Sequence, residues 1–125
     1  MKKLLLCLLV VLFVCCQDYK KDIVGWWASE RATPQNYVYY IIRDDGTYKK
    51  RMKTNVFGAN IDGTDRGTWE IDGSDIIFNV ETYNHKEQRG REERFKIRLL
   101  TNEKLILETR EGENFSYISA DNINY

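Results

Sequence analysis

The chain has 125 residues, of which 42% are hydrophobic and 30% are charged. This length and composition indicate one globular domain and exclude a disordered chain. Lys and Arg together number 19, as do Asp and Glu, so the balanced charge gives no long-range attraction to nucleic acid or anionic lipid. One Pro, eight Tyr and 13% aromatic residues favour an all-β domain.

The N-terminus has the pattern of a leader. Lys2 and Lys3 precede eleven apolar residues, Leu4–Val14. Eleven helical residues cover only about half of a ~30 Å hydrocarbon core. The segment therefore predicts a signal peptide over residues 1–15 rather than a membrane-spanning helix.

The cysteines are confined to this leader and its end. Cys7, Cys15 and Cys16 are the three cysteines of the chain, so the folded domain has no disulfide framework. The end of the hydrophobic run resembles the signal of bacterial lipoproteins, in which a Cys closes the run and becomes the lipidated first mature residue. The resemblance implies lipidation at Cys16, which the small Cys15 precedes. Cys15 is the alternative site, and an ordinary secreted protein is the other interpretation.

The lipoprotein interpretation divides the chain into three parts. Residues 1–15 are the signal peptide, residues 16–22 a lipidated tether, and residues 23–125 the folded domain. Several acyl chains together would give the stable membrane anchoring that one chain does not.

Beyond the tether, alternation of apolar and polar residues predicts strands rather than helices. Gly25-Trp26-Trp27 opens the first strand, Tyr37–Ile42 is apolar on both faces, and Asp45-Gly46 marks a hairpin. The clearest signal is Arg66–Phe78, where two alternating runs flank Asp72-Gly73. That dipeptide favours the tight turn of a β-hairpin.

Eight strands are predicted, and the polar stretches 58–65 and 82–91 are expected to be exposed loops. The strands are expected at 24–32, 36–43, 47–57, 66–71, 75–83, 92–100, 104–110 and 114–118. Consecutive strands with short connections can close on themselves and so remove their edges. The predicted fold is therefore all-β, a single eight-stranded antiparallel up-and-down barrel, and the alternative is a two-sheet β-sandwich.

Four segments occur in the order seen in a known family. They are Gly25-Trp26-Trp27, Asp45-Gly46-Thr47-Tyr48, Gly67–Gly73 and Leu99–Leu107. With them the chain resembles the small lipocalin-like lipoproteins of Bacteroidetes-type bacteria. The resemblance implies a calyx-type barrel that can take a ligand, with Trp27 at its base, and it transfers no known activity.

The alternation also predicts which side chains face inward. They are Trp27, Tyr48, Met52, Trp69, Ile71, Phe78, Phe95, Ile97, Leu105, Leu107, Phe115 and Tyr117. Aromatic and sulfur-containing members of this set would line a pocket for a small hydrophobic ligand: Trp27, Tyr48, Met52, Trp69, Phe78, Phe95 and Tyr117. Because eight strands enclose either a filled core or room for one small ligand, a filled barrel is the alternative.

No catalytic, metal or cofactor site is predicted. His85 is the only histidine, and it lies in a polar stretch with no cysteine or second histidine to complete a zinc site. Asp44 and Asp45 lack the ligand spacing of a calcium loop. No motif for a nucleophile surrounds any serine. We therefore expect a protein that is not an enzyme.

Two features remain for the outer surface. Basic rows, Lys49-Arg51-Lys53 and Arg94-Lys96-Arg98, fit the solvated outside of barrel strands. Tyr37, Tyr39 and Tyr40 are the best candidates for an outward contact patch, although one face of that strand must belong to the core.

The sequence thus predicts a lipid-anchored lipoprotein of the bacterial cell envelope, at the outer membrane on its periplasmic or surface face. It would bind a small hydrophobic ligand without a covalent step. The alternative is a filled barrel that contacts another envelope protein as an interaction or inhibitor module. Nucleic acid is not an expected partner.

Overall fold

A computed structural model of the chain describes residues 17–120. The predicted signal peptide and Cys16 lie outside these described residues. One short helix precedes eight strands along the chain: α1 (Tyr19–Asp22), β1 (Gly25–Ser29), β2 (Tyr37–Ile42), β3 (Thr47–Val56), β4 (Ala59–Asp72), β5 (Asp75–Tyr83), β6 (Lys86–Leu100), β7 (Lys104–Glu108) and β8 (Asn114–Ser119).

The eight strands form one closed antiparallel barrel in sequence order. Each strand pairs with the next, and β8 returns to pair with β1, where Trp27 lies opposite Ser119 and Ala28 opposite Ile118. The predicted up-and-down barrel is confirmed, and the alternative of a two-sheet sandwich is wrong. Closure leaves the sheet without a free edge.

Two stretches expected to be loops are strand instead. The stretch 58–65 belongs almost entirely to β4, which pairs with β3 from Thr47 opposite Thr68 to Val56 opposite Ala59. Likewise, much of 82–91 lies in β5 and β6. Both predictions were wrong because two-residue turns suffice to connect these strands.

The two turns have positive φ at both central residues. Phe57 and Gly58 have φ values of 51° and 79°, and Asn84 and His85 have values of 49° and 66°. Positive φ at both central residues is the requirement of the type I′ turn that suits the twist of a hairpin. Phe-Gly and Asn-His are not the usual turn dipeptides, and for this reason the sequence did not reveal them.

Two tryptophans close the end of the barrel at which the chain enters β1. The indole Nε1 of Trp27 donates to the carbonyl of Ile23 at 2.8 Å, and that of Trp69 donates to the carbonyl of Arg43 at the same distance. Both indoles are buried. Since each N–H is satisfied by backbone, the rings contribute their apolar area to the core at little polar cost.

A bulge in β5, where Glu81 is the extra residue, sets the register of the β4–β5 pair. The β4–β5 pairing shifts between Arg66 and Gly67. A Cβ atom on Gly67 would lie 1.9 Å from the backbone oxygen of Asn79, so only glycine fits there. Beyond the shift, Asp65 lies opposite Tyr83. Gly67 therefore permits the close strand approach beside which Asp65 faces Tyr83.

Replacing Gly67 by alanine should destabilise the barrel strongly, because the new methyl group meets backbone that cannot move alone. We expect the free energy of unfolding to fall by about 3 kcal/mol. Gly73→Ala is the matched control, since Gly73 has a φ of 62° with open space around its Cβ position. That change should cost about 1 kcal/mol. Urea unfolding followed by tryptophan fluorescence measures both, and equal losses would contradict the role given to Gly67.

Candidate functional site: a charged cluster inside the barrel

Most of the predicted inward residues are buried. Trp27, Tyr48, Trp69, Phe78 and Tyr117 belong to the core. Met52 and Phe95 are half-buried on the interior face. These are the seven residues predicted to line a pocket, and their role toward a ligand stays a prediction.

Phe115 departs from the predicted set. By register it shares a face with buried Leu107, but its side chain remains 43% exposed. It lies beside Asn114, where β8 begins. The expectation that Phe115 is part of the core was wrong, because β1 ends at Ser29, opposite Tyr117, and places no residue opposite Phe115.

Aromatic rings fill the middle of the interior around Phe78. Its ring centroid lies 4.6 Å from that of Tyr48, 4.9 Å from Tyr40 and 6.2 Å from Phe95. Tyr40 in turn contacts Tyr117 edge to face at 5.5 Å. Such offset and edge contacts stabilise the core beyond the area they bury.

The tyrosines of β2 separate onto the two faces of that strand. Tyr40 is buried in the core, whereas Tyr37 and Tyr39 lie half-buried on the outer face. Tyr40 was a candidate for the outward patch, and that assignment is wrong. Its alternation with Tyr39 along the strand requires the opposite direction.

Four charged residues share the interior face with the aromatic rings. Lys50 on β3 pairs across from Asp65 on β4. On β6, Glu93 and Arg91 lie opposite the buried residues Phe78 and Val80 of β5. We call Lys50, Asp65, Arg91 and Glu93 the interior charged cluster.

The cluster is held together by ion pairs centred on Glu93. Lys50 Nζ lies 3.5 Å from Glu93 Oε2, and an Arg91 guanidinium nitrogen lies 3.1 Å from Glu93 Oε1. Both cations also face aromatic rings. The Lys50 nitrogen is 5.5 Å from the Tyr40 ring centroid, and the Arg91 guanidinium is 5.9 Å from that of Tyr83.

Asp65 is the deepest charged member and the least well paired. Its residue is 5% exposed, and burial raises the pKa of its carboxyl, an effect that Lys50 and Arg91 oppose and Glu93 reinforces. Its Oδ1 atom accepts no hydrogen bond, because the nearest Arg91 nitrogen is 4.0 Å away. Buried carboxylates normally have hydrogen-bond partners, so this oxygen is an available acceptor.

The hydroxyl of Tyr48 is a second buried polar atom without a partner. Burial raises the pKa of Tyr48, and nearby Asp65 and Glu93 raise it further. The phenol therefore keeps its proton at neutral pH and can donate a hydrogen bond. Tyr48 and Asp65 thus offer one donor and two acceptors to a group placed between aromatic rings.

Tyr83 covers the approach to Asp65. It lies opposite Asp65 across the β4–β5 pair. A Cβ atom on Gly63 would lie 2.5 Å from the end of the Tyr83 ring. Glycine at this position allows the ring to lie directly on β4, where it shields the interior charged cluster.

The sequence contained usable signals for two members of this cluster. Glu93 falls on the same alternating face as Phe95 and Ile97 in the strand predicted at 92–100. Lys50 falls on the same alternating face as Tyr48 and Met52, and a lysine in an otherwise apolar row was visible there. Asp65 was placed in a loop and Arg91 at the end of one. Their inward direction follows only from the extended strands.

The arginines of the two basic rows predicted for the outer surface pair with acidic side chains. Arg51 pairs with Asp62 at 3.3 Å, Arg94 with Asp72 at 2.9 Å, and Arg98 with Glu108. This supports their interpretation as solvated strand faces.

The interior charged cluster offers groups that can bind a polar molecule. Among residues 17–120, no three His, Cys, Asp or Glu side chains are grouped so as to hold a metal ion. His85 occupies the β5–β6 turn. The interior cluster can instead hold a polar group by hydrogen bonds beside an aromatic wall.

No helix within residues 17–120 is long and apolar enough to span a membrane.

Asp65→Asn should stabilise the protein at pH 7. The carboxyl pKa is higher in the folded state than its ordinary value of about 4 in the unfolded chain. Protonated Asp65 therefore stabilises the fold below pH 4, and this contribution is lost as the pH rises through the folded-state pKa. We expect Asp65→Asn to gain about 1 kcal/mol at pH 7 and the difference from wild type to shrink toward pH 4.

Asp62→Asn is the control for this measurement, because Asp62 lies exposed on the same strand and pairs with Arg51. Its effect should stay below about 0.5 kcal/mol. Urea unfolding at several pH values gives both differences. A loss of stability in Asp65→Asn at pH 7 would show that Lys50 and Arg91 more than offset the cost of burial.

Comparisons with known proteins agree with the barrel. A lipocalin-like protein from Bacteroides uniformis ATCC 8492 is similar in structure, with a TM-score of 0.53 and 18% identity over 78% of this chain and 98% of that one. An uncharacterized protein from Bacteroides eggerthii DSM 20697 has a TM-score of 0.52 and 15% identity, over 77% and 98%. At these identities the likeness concerns the fold alone.

No curated protein matches the chain. The sequence profile of the Lipocalin-like domain matches residues 20–107. This range includes α1 except Tyr19, the strands β1 to β6 and all of β7 except Glu108. The order of weak motifs noted in the sequence had indicated the same relationship. This chain belongs to the lipocalin-like domain family.

Proposed function

We propose that this protein binds a small amphipathic molecule inside the barrel without a covalent step. The observation that carries the proposal is the pair of buried polar atoms without partners, Tyr48 Oη and Asp65 Oδ1. The ring of Tyr48 contacts that of Phe78, and Asp65 lies opposite Lys50, which follows Tyr48 on the same face of β3. A ligand with a polar group and an apolar body would satisfy both atoms and contact the rings.

The polar side of the interior is the favoured location for such a ligand. The other end is filled by the core, including Ile23, Trp27 and Trp69, whose indoles already bond to backbone. In contrast, the side chains of Lys50 and Glu93 keep partial exposure of 17% and 19%. These exposures support access to the interior from the end formed by the β3–β4 and β5–β6 turns.

At this location only some of the predicted lining residues would contact the ligand. Tyr48, Phe78 and Phe95 surround the proposed position, and Met52 lies beyond Lys50 on the same face of β3. Trp27 and Trp69 would act as the base of the barrel. The ligand we propose is accordingly amphipathic rather than purely hydrophobic, because four charged residues lie on the interior face of the barrel.

Titration of the purified protein with single-chain amphiphiles should give saturable binding, detected as displacement of a solvatochromic dye and a change in tryptophan emission. Tyr48→Phe should weaken this binding by about three- to tenfold, the effect of one lost hydrogen bond. Tyr37→Phe, on the outer face, is the matched control and should bind as wild type does. If no amphiphile or dye shows saturation, the proposed pocket does not exist.

We further propose that the protein is a lipoprotein of the bacterial cell envelope, anchored through Cys16. The basic and apolar leader and the position of the cysteines support this placement. In addition, Gln17 Nε2 donates to the carbonyl of Leu100 at 2.7 Å. Chain leaving the anchor would therefore meet the barrel almost immediately, so the barrel would lie close to the membrane surface.

Expression in a bacterium that processes lipoproteins tests the anchor. Cys16→Ala should remove the acyl mass seen by mass spectrometry and release the protein from the membrane fraction. Cys15→Ala is the matched control and should keep both properties. Loss of acylation only in Cys15→Ala would assign the anchor to Cys15, and an unacylated wild-type protein would indicate ordinary secretion.

A second candidate function is contact with another envelope protein through the outer face of β1 and β2. Trp26 is 52% exposed there. Its ring centroid lies 5.7 Å from that of Tyr39, which stacks on Tyr37 at 5.9 Å. Exposed tryptophan and tyrosine side chains are the usual anchors of protein interfaces. We call Trp26, Tyr37 and Tyr39 the outer aromatic strip.

Capture from an envelope extract of the native cells tests this candidate. The wild-type protein should retain a partner that Trp26→Ser and Tyr39→Ala lose. Leu99→Ser is the control, because Leu99 is another exposed apolar side chain and lies on β6. Equal capture by all variants would exclude the outer aromatic strip as the interface.

A further inference from the structure

The interior charged cluster is electrically balanced but unevenly bonded. Lys50 and Arg91 supply two positive charges, and Asp65 and Glu93 supply two negative ones. Both cations form ion pairs with Glu93, Lys50 at 3.5 Å and Arg91 at 3.1 Å between the nitrogen and the carboxylate oxygen. Asp65 is more deeply buried than Glu93, yet its Oδ1 is left without a hydrogen bond.

The buried atoms without hydrogen-bond partners are therefore mainly hydrogen-bond acceptors. An ionised carboxylate accepts hydrogen bonds only, while a phenol can donate one and accept others. Among the described residues, Asp65 Oδ1 and Tyr48 Oη are the unpartnered buried oxygens of the barrel interior. A ligand group placed against them is held best when it carries at least one N–H or O–H donor.

We propose that the interior charged cluster selects amphiphiles whose head group donates hydrogen bonds, a hydroxyl or an ammonium group, over those with a carboxylate. This inference rests on the proposed ligand-binding function and names its ligand class. A hydroxyl donates to Asp65 Oδ1 and accepts from the Tyr48 hydroxyl. An ammonium group adds a charge-assisted bond to Asp65, which is stronger than a neutral one.

A carboxylate head group meets the opposite situation. It brings only acceptors to Asp65, and its negative charge repels those of Asp65 and Glu93, whose side chains are only 6% and 19% exposed and so are weakly screened by water. Lys50 and Arg91 offer limited compensation, since both are engaged with Glu93 and with the rings of Tyr40 and Tyr83.

Tyr83 lies opposite Asp65 across the β4–β5 pair, and the end of its ring lies over Gly63. The Arg91 guanidinium lies 5.9 Å from the centroid of that ring, and the Arg91 side chain is 43% exposed. In the proposed complex, a head group reaches Asp65 by rotation of these two side chains.

Three ligands of equal chain length test the selectivity: decanol, decylammonium and decanoate. Competition with a bound solvatochromic dye at pH 7.5 gives each dissociation constant for the purified protein. We expect decanol and decylammonium to bind at least about tenfold more tightly than decanoate, as one charge-assisted hydrogen bond allows. Tighter or equal binding of decanoate would overturn the inference while leaving the proposed function standing.

The variant Asp65→Asn tests how much the charge of Asp65 contributes to this selectivity. It should lower the preference for decylammonium over decanoate by about tenfold. Asp62→Asn removes the same charge from the outer face of the same strand and should keep the wild-type preference. Equal preferences in the two variants would overturn the role of Asp65, and failure of all three ligands to saturate wild-type protein would overturn the proposed function itself.

Discussion

Pairing of β8 with β1 is the constraint on which the rest of the structure depends. Before closure, the strands form a twisted antiparallel sheet with two free edges. Hydrogen bonding of Trp27 and Ala28 to the last strand removes those edges and turns one face of every strand into an interior. Closure therefore buries the tryptophans of the base, and it also encloses charged side chains that an open sheet would leave in water.

The interior contains both apolar and charged side chains, and burying the charged ones lowers the stability of the fold. A core made only of rings and aliphatic residues would stabilise an eight-stranded barrel without any buried carboxylate. Asp65 instead lies desolvated with a raised pKa, and the Tyr48 hydroxyl has no partner. Such departures from a satisfied core are expected where a protein binds something rather than where it only folds. Glycines at 63 and 67 allow the close approaches that bring this region together.

The relationship to lipocalin-like proteins explains the barrel fold, but it does not explain which side chains lie inside the barrel. Structural relatives share 15–18% identity with this chain, which is enough to preserve an alternating pattern and too little to preserve a set of contacts. One fold supports many ligands, because side chains inside and at the rim decide what is held. The interior charged cluster and the outer aromatic strip are therefore the features by which this barrel would differ in function from its relatives.

The sequence by itself determined the architecture, and the tertiary structure decided the site. Alternation around Trp69 and Phe78, together with Asp-Gly turn signals, was sufficient for the number and order of strands, since both are local properties of the chain. It was insufficient for the full length of β4 and β6, where Phe-Gly and Asn-His make turns that no common signal marks. Lys50 and Glu93 meet across 43 residues of sequence. Their meeting depends on the register of four strands, including the β5 bulge at Glu81 opposite Arg66 and Gly67. Register is set by long-range pairing that no local pattern contains.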